Sequence, residues 1–182
     1  MVVQRINFRD DAVKFRDTLQ EYCRFLNEKM GGDYLEFRDL SRNWDKQDYS
    51  SRIVVNTHDR AIRKAFIKAC CRENMHYKSG IFCYSICFEW TYPDFIPLYT
   101  PNEMETLMIN IFEKEYISVI LKTRDDVINS YLSRPGLEQF MEENAHIVAE
   151  LKDMPASNIE EGVRLNEEIE KFRKLKYYWV GV

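Results

Sequence analysis

An imidazole and a carboxylate are adjacent at one place in this chain, His58-Asp59. Such a pair can share a divalent metal ion that activates a water molecule for hydrolysis. A complete site needs more ligands, and the other histidines are His76 and His146. One hypothesis is therefore a metal-dependent phosphohydrolase at His58-Asp59. The alternative is structural, because aspartate stabilises the N-terminus of a helix.

Five cysteines offer a second kind of chemistry. Thiolates together with His76 could bind zinc, but the chain has no C-x-x-C spacing, which favours buried free thiols. An odd number of cysteines, two of them adjacent, is typical of reduced cytoplasmic proteins. They are Cys23, Cys70, Cys71, Cys83 and Cys87.

Glycine is scarce, and no two of the six glycines are spaced as G-x-G. Phosphate-binding loops, dinucleotide fingerprints and G-x-S-x-G elbows all depend on closely spaced glycines, so these signatures are missing. The sequence therefore predicts no cofactor and favours a protein that is not an enzyme.

The charge of the chain is segregated. Residues 52–78 carry seven Lys and Arg against two acidic side chains, a net charge of +5, while the other residues sum to −9 and the whole chain to −4. A helix over 57–74 would align Arg60, Lys64 and Lys68 in one stripe, which could bind nucleic-acid phosphates or pair with the protein's own acidic helices. The candidate contact residues are Arg60, Arg63, Lys64, Lys68, Arg72 and Lys78.

Aromatic residues end the last predicted helix, at Tyr177, Tyr178 and Trp179. Aromatic side chains near positive charge are enriched at the centres of protein interfaces. The alternative is that these side chains are buried against the α+β body. A homodimer formed through this region would satisfy both interpretations.

Residues 1–124 are predicted to form an α+β body, a small and mostly antiparallel sheet packed with helices. Helices are indicated from Asp10 or Asp11 to Met30, over 57–74 with Thr57 as its cap, and from Thr100-Pro101 onward. A further strand at 116–121 is one interpretation of a β-branched run. The other strands are predicted at 2–6, 34–40, 52–56 and, with the clearest alternation, 80–90.

Residues 125–182 are predicted to be helical and to pack on the body as one compact unit. The helical pieces are Asp126 to Ser133, Pro135 to Asp153 and Ser157 to about Tyr178. Pro155 separates the last two, and Ser157 to Glu160 reads as a capping box. We therefore expect a C-terminal helical hairpin.

The 182 residues are 45% hydrophobic, which is enough to bury a core. Met1 to Arg9 contain no apolar block, and no stretch approaches the roughly 18 apolar residues of a membrane span. We therefore expect a cytoplasmic protein with neither a signal peptide nor a membrane partner. The negative net charge also excludes a surface that attracts polyanions everywhere.

In its length, and in a composition with 11 Tyr but 6 Gly, the chain resembles small accessory proteins of phages and mobile elements, including inhibitors of the anti-CRISPR type. The resemblance implies a stoichiometric inhibitor that masks a surface of a host defence complex, for example a CRISPR ribonucleoprotein, in the host cytosol. It transfers no site residues. A nucleic-acid-binding module using helix 57–74 and the phosphohydrolase remain the alternatives.

The aromatic face of the strand predicted over 80–90 generates a first prediction. Replacement of Phe88 by Ala should lower the free energy of unfolding by roughly 3 to 5 kcal/mol, as for a buried phenylalanine. Chemical denaturation measures this value. A loss of less than about 1 kcal/mol would show that the Phe88 side chain is not in the core.

Overall fold

The computed structural model describes residues 8–42, 50–70, 77–79, 85–91 and 107–181. The chain divides into two compact units, Met1–Phe112 and Glu113–Val182. The first contains every described strand, and the second is helical. The predicted α+β class, with a helical C-terminal region, is confirmed.

The first unit contains a four-stranded antiparallel sheet. Its strands are β1 (Glu36–Asp39), β2 (Ser50–Asn56), β3 (Tyr77–Ser79) and β4 (Ser85–Thr91), arranged in the order β1, β2, β4, β3. The central pair, β2 and β4, is in register over seven residues. Ile53 and Val55 are fully buried whereas Arg52 is exposed, so β2 has one buried face.

The strands predicted at 34–40 and 52–56 are confirmed by β1 and β2. In the strand predicted at 80–90, residues 80–84 lie outside the described residues, and β4 confirms the rest. Strand β3, which is antiparallel to β4 and pairs Tyr77 with Phe88, was not predicted. A strand of three residues is too short to show the period-2 alternation by which strands are recognised in a sequence.

The helix predicted from Asp10 or Asp11 to Met30 is confirmed and begins slightly earlier, as α1 (Phe8–Met30). It ends in a Schellman motif, in which Gly31 has a φ of 74° and the Gly32 N–H donates to the Asn27 carbonyl at 3.1 Å. The Asn27 side chain also exchanges two hydrogen bonds, of 2.8 and 2.9 Å, with the Leu35 backbone. These bonds hold the residue that precedes β1 against α1. The buried side chains of α1 include Leu19, Tyr22, Cys23, Leu26 and Met30.

Helix α2 (Arg60–Cys70) buries one apolar face and packs against a π-helical turn at Leu107–Ile111. The prediction that Thr57 caps this helix is wrong. Asp59 is the cap, because its Oδ1 accepts the Ala61 and Ile62 N–H groups at 2.7 and 2.9 Å. The Thr57 hydroxyl instead accepts the Asp59 N–H at 3.3 Å. Three predicted segments lie outside the described residues: positions 71–74 of this helix, the strand at 2–6 and the helix start at Thr100-Pro101.

Helix α3 (Phe112–Leu132) replaces the alternative strand at 116–121. That expectation was wrong because the buried residues recur every fourth position, at Phe112, Tyr116 and Ile120, as in a helix. Residue 124, where the sequence suggested a domain boundary, lies inside α3. No described helix has the length and apolarity needed to cross a membrane.

The remaining helices are α4 (Glu138–Glu143), α5 (Ala145–Asp153) and α6 (Ile159–Trp179). The continuous helix predicted over 135–153 is therefore wrong at two points. It begins three residues later because Gly136 has a φ of 88°, and it is interrupted at Asn144, whose side-chain Nδ2 donates to the Phe140 carbonyl at 2.8 Å.

Helices α3 and α6 run parallel to each other within the second unit. At one end the Ile159 N–H donates to the Glu113 carboxylate at 3.2 Å. At the other end the rings of Tyr131 and Phe172 lie 5.5 Å apart. Helices α4 and α5 connect the C-terminus of α3 to the N-terminus of α6. The sequence predicted only the hairpin of the later helices, because α3 was not recognised as one long helix.

The start of α6 differs by one residue from the predicted capping box. The cap is Asn158, whose side chain accepts the Glu161 N–H at 2.9 Å. The Glu161 carboxylate accepts the N–H and the hydroxyl of Ser157 at 2.7 and 2.6 Å. The predicted partner, Glu160, is exposed. The reciprocal pattern of a capping box is thus present but uses Glu161.

At Gly162 the backbone of α6 lies close to a side chain of α3. A Cβ atom built on Gly162 would lie 2.9 Å from Cε1 and 3.2 Å from Cδ1 of Tyr116. Tyr116 is fully buried, so its ring has little freedom to move away. Only glycine allows the two helices to pack this closely.

Replacement of Gly162 by Ala should lower the free energy of unfolding by about 1 to 3 kcal/mol, the usual cost of overpacking. This would occur although Ala favours a helix over Gly by about 1 kcal/mol. Urea denaturation in a Tyr116→Leu background provides the control, because the smaller side chain should reduce the cost. If the Ala variant is at least as stable as the native chain, α3 and α6 are not in this close contact.

Candidate functional site

Three exposed cations form what we call the basic stripe: Arg60, Lys64 and Lys68 on α2. Each is one turn from the next, as the sequence predicted. Arg63 is half-buried beside them. Of the other two predicted contact residues, Lys78 belongs to β3 and Arg72 lies outside the described residues.

The basic stripe makes no ion pair within the described part of the chain. This separates it from seven other cations, each of which lies within 4.0 Å of a carboxylate. The described residues therefore do not support the alternative in which the stripe pairs with the protein's own acidic helices. The seven paired residues are Arg16, Arg24, Arg38, Lys122, Arg124, Lys171 and Arg173.

The carboxylate of the His58-Asp59 pair has a structural role. Asp59 accepts two backbone N–H groups at the start of α2, as the structural interpretation of this pair predicted. His58 is exposed. Among the residues that the structure describes, no three His, Cys, Asp or Glu side chains are grouped so that they could hold a metal ion. The phosphohydrolase hypothesis thus gains no support from the described geometry.

Cys23 is a buried free thiol on α1. Burial raises the pKa of this thiol to about 12, because desolvation disfavours the thiolate. The thiol is therefore protonated at neutral pH and unsuited to act as a nucleophile. The side chains of Cys70, Cys71, Cys83 and Cys87 lie outside the described part of the structure.

Exposed apolar side chains collect at one end of the second unit, where α3 and α6 both terminate. Only one further large apolar residue is exposed in the described chain, Leu40, in the first unit. We call this cluster the aromatic end. It consists of Leu132, Leu175, Tyr177, Tyr178, Trp179 and Val180.

A buried aromatic cluster supports the aromatic end. The Phe140 ring lies 5.6 Å from Phe172 and 6.2 Å from Tyr131, so α4 joins the ends of α3 and α6. Trp179 packs on this cluster, with its ring 5.6 Å from Phe140 and its Nε1 donating to the Glu143 carboxylate at 3.4 Å. Trp179 therefore packs on α4 of its own unit and is still 39% exposed, whereas Tyr178 is 80% exposed.

Lys176 links the buried cluster to the exposed tyrosines. Its Nζ lies 4.2 Å from the ring centroid of Tyr177 and 5.6 Å from that of Tyr131, which are cation–π distances. Burial raises the pKa of the Tyr131 phenol, so this ring stays neutral at neutral pH and presents its π face to the ammonium. Lys176 itself is only 8% exposed.

Sequence reasoning found the three aromatic residues of this end but missed the aliphatic ones. Leu175 and Val180 flank the tyrosines in the sequence, and a search for apolar residues around them would have found both. Leu132 is 47 positions before Trp179 and joins the cluster only because α3 and α6 are parallel. What the sequence analysis lacked was that Phe112–Leu132 form one helix.

Comparison with known proteins yields no similar family: no family model, no curated protein and no solved structure matches the chain. Function is therefore inferred from the two surfaces themselves.

Two neighbouring residues should respond differently to truncation. Trp179→Ala should lower the free energy of unfolding by about 2 kcal/mol, because it removes a packed aromatic pair. Tyr178→Ala should change stability by less than about 0.5 kcal/mol, as expected for an exposed side chain. Urea denaturation measures both. Equal losses for the two variants would contradict the packing of Trp179 on Phe140.

Proposed function

We propose that this chain is a non-enzymatic protein-binding protein whose aromatic end contacts the partner. The supporting observation is the concentration of exposed apolar side chains where α3 and α6 terminate. Singly exposed apolar residues are common on protein surfaces, but a cluster of them at one place is typical of an interaction site.

The residue types and their support suit an interface. Tyrosine and tryptophan provide large contact areas with few rotatable bonds, and they are enriched among the residues that dominate binding energy. The Trp179 ring is held by Phe140 and Glu143, and the Tyr177 ring faces the Lys176 ammonium. Because these contacts order the surface before binding, less conformational entropy is lost when a partner docks.

The resemblance to inhibitors of the anti-CRISPR type adds the proposal that the partner is a host defence complex, including a ribonucleoprotein. In this role the protein masks a functional surface and needs neither a cofactor nor a catalytic group. We also propose a cytosolic location, which the buried free thiol of Cys23 supports.

Capture of a partner from the native host tests this function. The variant Leu132→Ser with Tyr178→Ser changes two residues that are 59% and 80% exposed, so its melting temperature should be nearly unchanged. It should lose the captured partner. The matched control is Leu40→Ser, which changes an apolar residue of 51% exposure outside the aromatic end and should retain the partner.

Two results would contradict the proposed function. One is equal partner capture by the double variant and the native chain. The other is a native chain that captures no partner and sediments as a homodimer that the double variant abolishes. In that case the aromatic end joins two copies of this chain, as the sequence interpretation of a dimer allows.

A further inference from the structure

We propose that the basic stripe on α2 binds the phosphodiester backbone of a nucleic acid. This site is in the first unit and is independent of the aromatic end in the second. It would give the protein a second binding function, one that contacts phosphates and not protein side chains.

The stripe presents positive charge in a regular row. Arg60, Lys64 and Lys68 are separated by about 6 Å along the helix axis, one turn at a time. None forms an ion pair within the described residues. Residues 60–70 contain no acidic side chain, and the nearest carboxylate along the chain, Asp59, is engaged by two backbone N–H groups.

The position of Arg60 is unfavourable for the helix itself. It occupies the first turn, where the partial positive charge of the helix dipole disfavours a cation. The remainder of α2 follows the usual rules, with Asp59 as its N-terminal cap and Lys68 in its last turn. An unfavourable residue in an otherwise favourable helix is typical of a functional position. An arginine near a helix N-terminus also strengthens the attraction of that terminus for anions.

The character of the exposed face favours phosphates over a protein or a membrane. The exposed residues of α2 are the three cations alone, among those whose side chains the structure describes. A protein interface needs an apolar centre, and an amphipathic membrane helix needs apolar residues to insert into the lipid. Exposed ammonium and guanidinium groups are sufficient for backbone phosphates, which they contact as charges and hydrogen-bond donors.

Fluorescence anisotropy with labelled single-stranded RNA, single-stranded DNA and duplex DNA of one sequence tests the proposal. Three phosphate contacts predict that affinity falls about 15- to 40-fold between about 50 and 200 mM salt. The variant Arg60→Gln, Lys64→Gln, Lys68→Gln should bind about tenfold more weakly at low salt, with a salt slope smaller by about 2 to 3. The three probes show which form of nucleic acid is preferred.

A control variant separates the stripe from net charge. Arg24→Gln, Lys122→Gln, Lys171→Gln removes the same total charge from exposed, ion-paired positions and should keep the affinity within about twofold. The double variant Lys64→Gln, Lys68→Gln leaves the first turn of α2 intact. It should bind with intermediate affinity even if the triple variant is destabilised.

Three results would overturn the proposal. The native chain could fail to bind any of the probes at low salt. The control variant could lose as much affinity as the stripe variant, which would show an effect of total charge. Labelled poly-glutamate could bind as tightly as the nucleic acids, which would assign the stripe to an acidic protein partner.

Discussion

The close packing of α3 against α6 at Tyr116 and Gly162 is the contact on which the second unit depends. Because the two helices are parallel and begin together, they also end together, and this brings Tyr131 beside Phe172 and Lys176, more than forty positions later. Phe140 from α4 then closes the space between the two ends. The aromatic end is thus a consequence of the helix packing, and a change in the helix contact would alter both stability and the proposed binding surface.

The two candidate surfaces differ in the chemistry they can recognise. The basic stripe is charged and has no exposed apolar residue among the described positions of α2, whereas the aromatic end is mainly apolar with one buried lysine at its base. The ammonium of Lys176 faces two aromatic rings, those of Tyr131 and Tyr177. The basic stripe belongs to the first unit and the aromatic end to the second.

Local patterns predicted much of the fold. The apolar spacing of α1, its Gly31-Gly32 end and the alternation of β2 each depend on a few neighbouring residues, so the sequence was sufficient for them. The caps were misplaced by one or two residues because Thr57 and Asp59, like Ser157 and Asn158, are all residue types that can cap a helix, and only geometry selects between them. α3 was mistaken in part for a strand because β-branched residues favour strands locally while helix packing decides in the fold. The members of the aromatic end depend on that packing, so they could not all be predicted.

Photo-crosslinking in the native host tests the proposed interface most directly. A photoreactive residue is placed at position 178 in the aromatic end, or at position 40 as an exposed control. We expect irradiation to give a covalent adduct with a host protein from position 178 and none from position 40. Adducts from position 40 but not from position 178 would contradict the assignment of the partner-binding surface to the ends of α3 and α6.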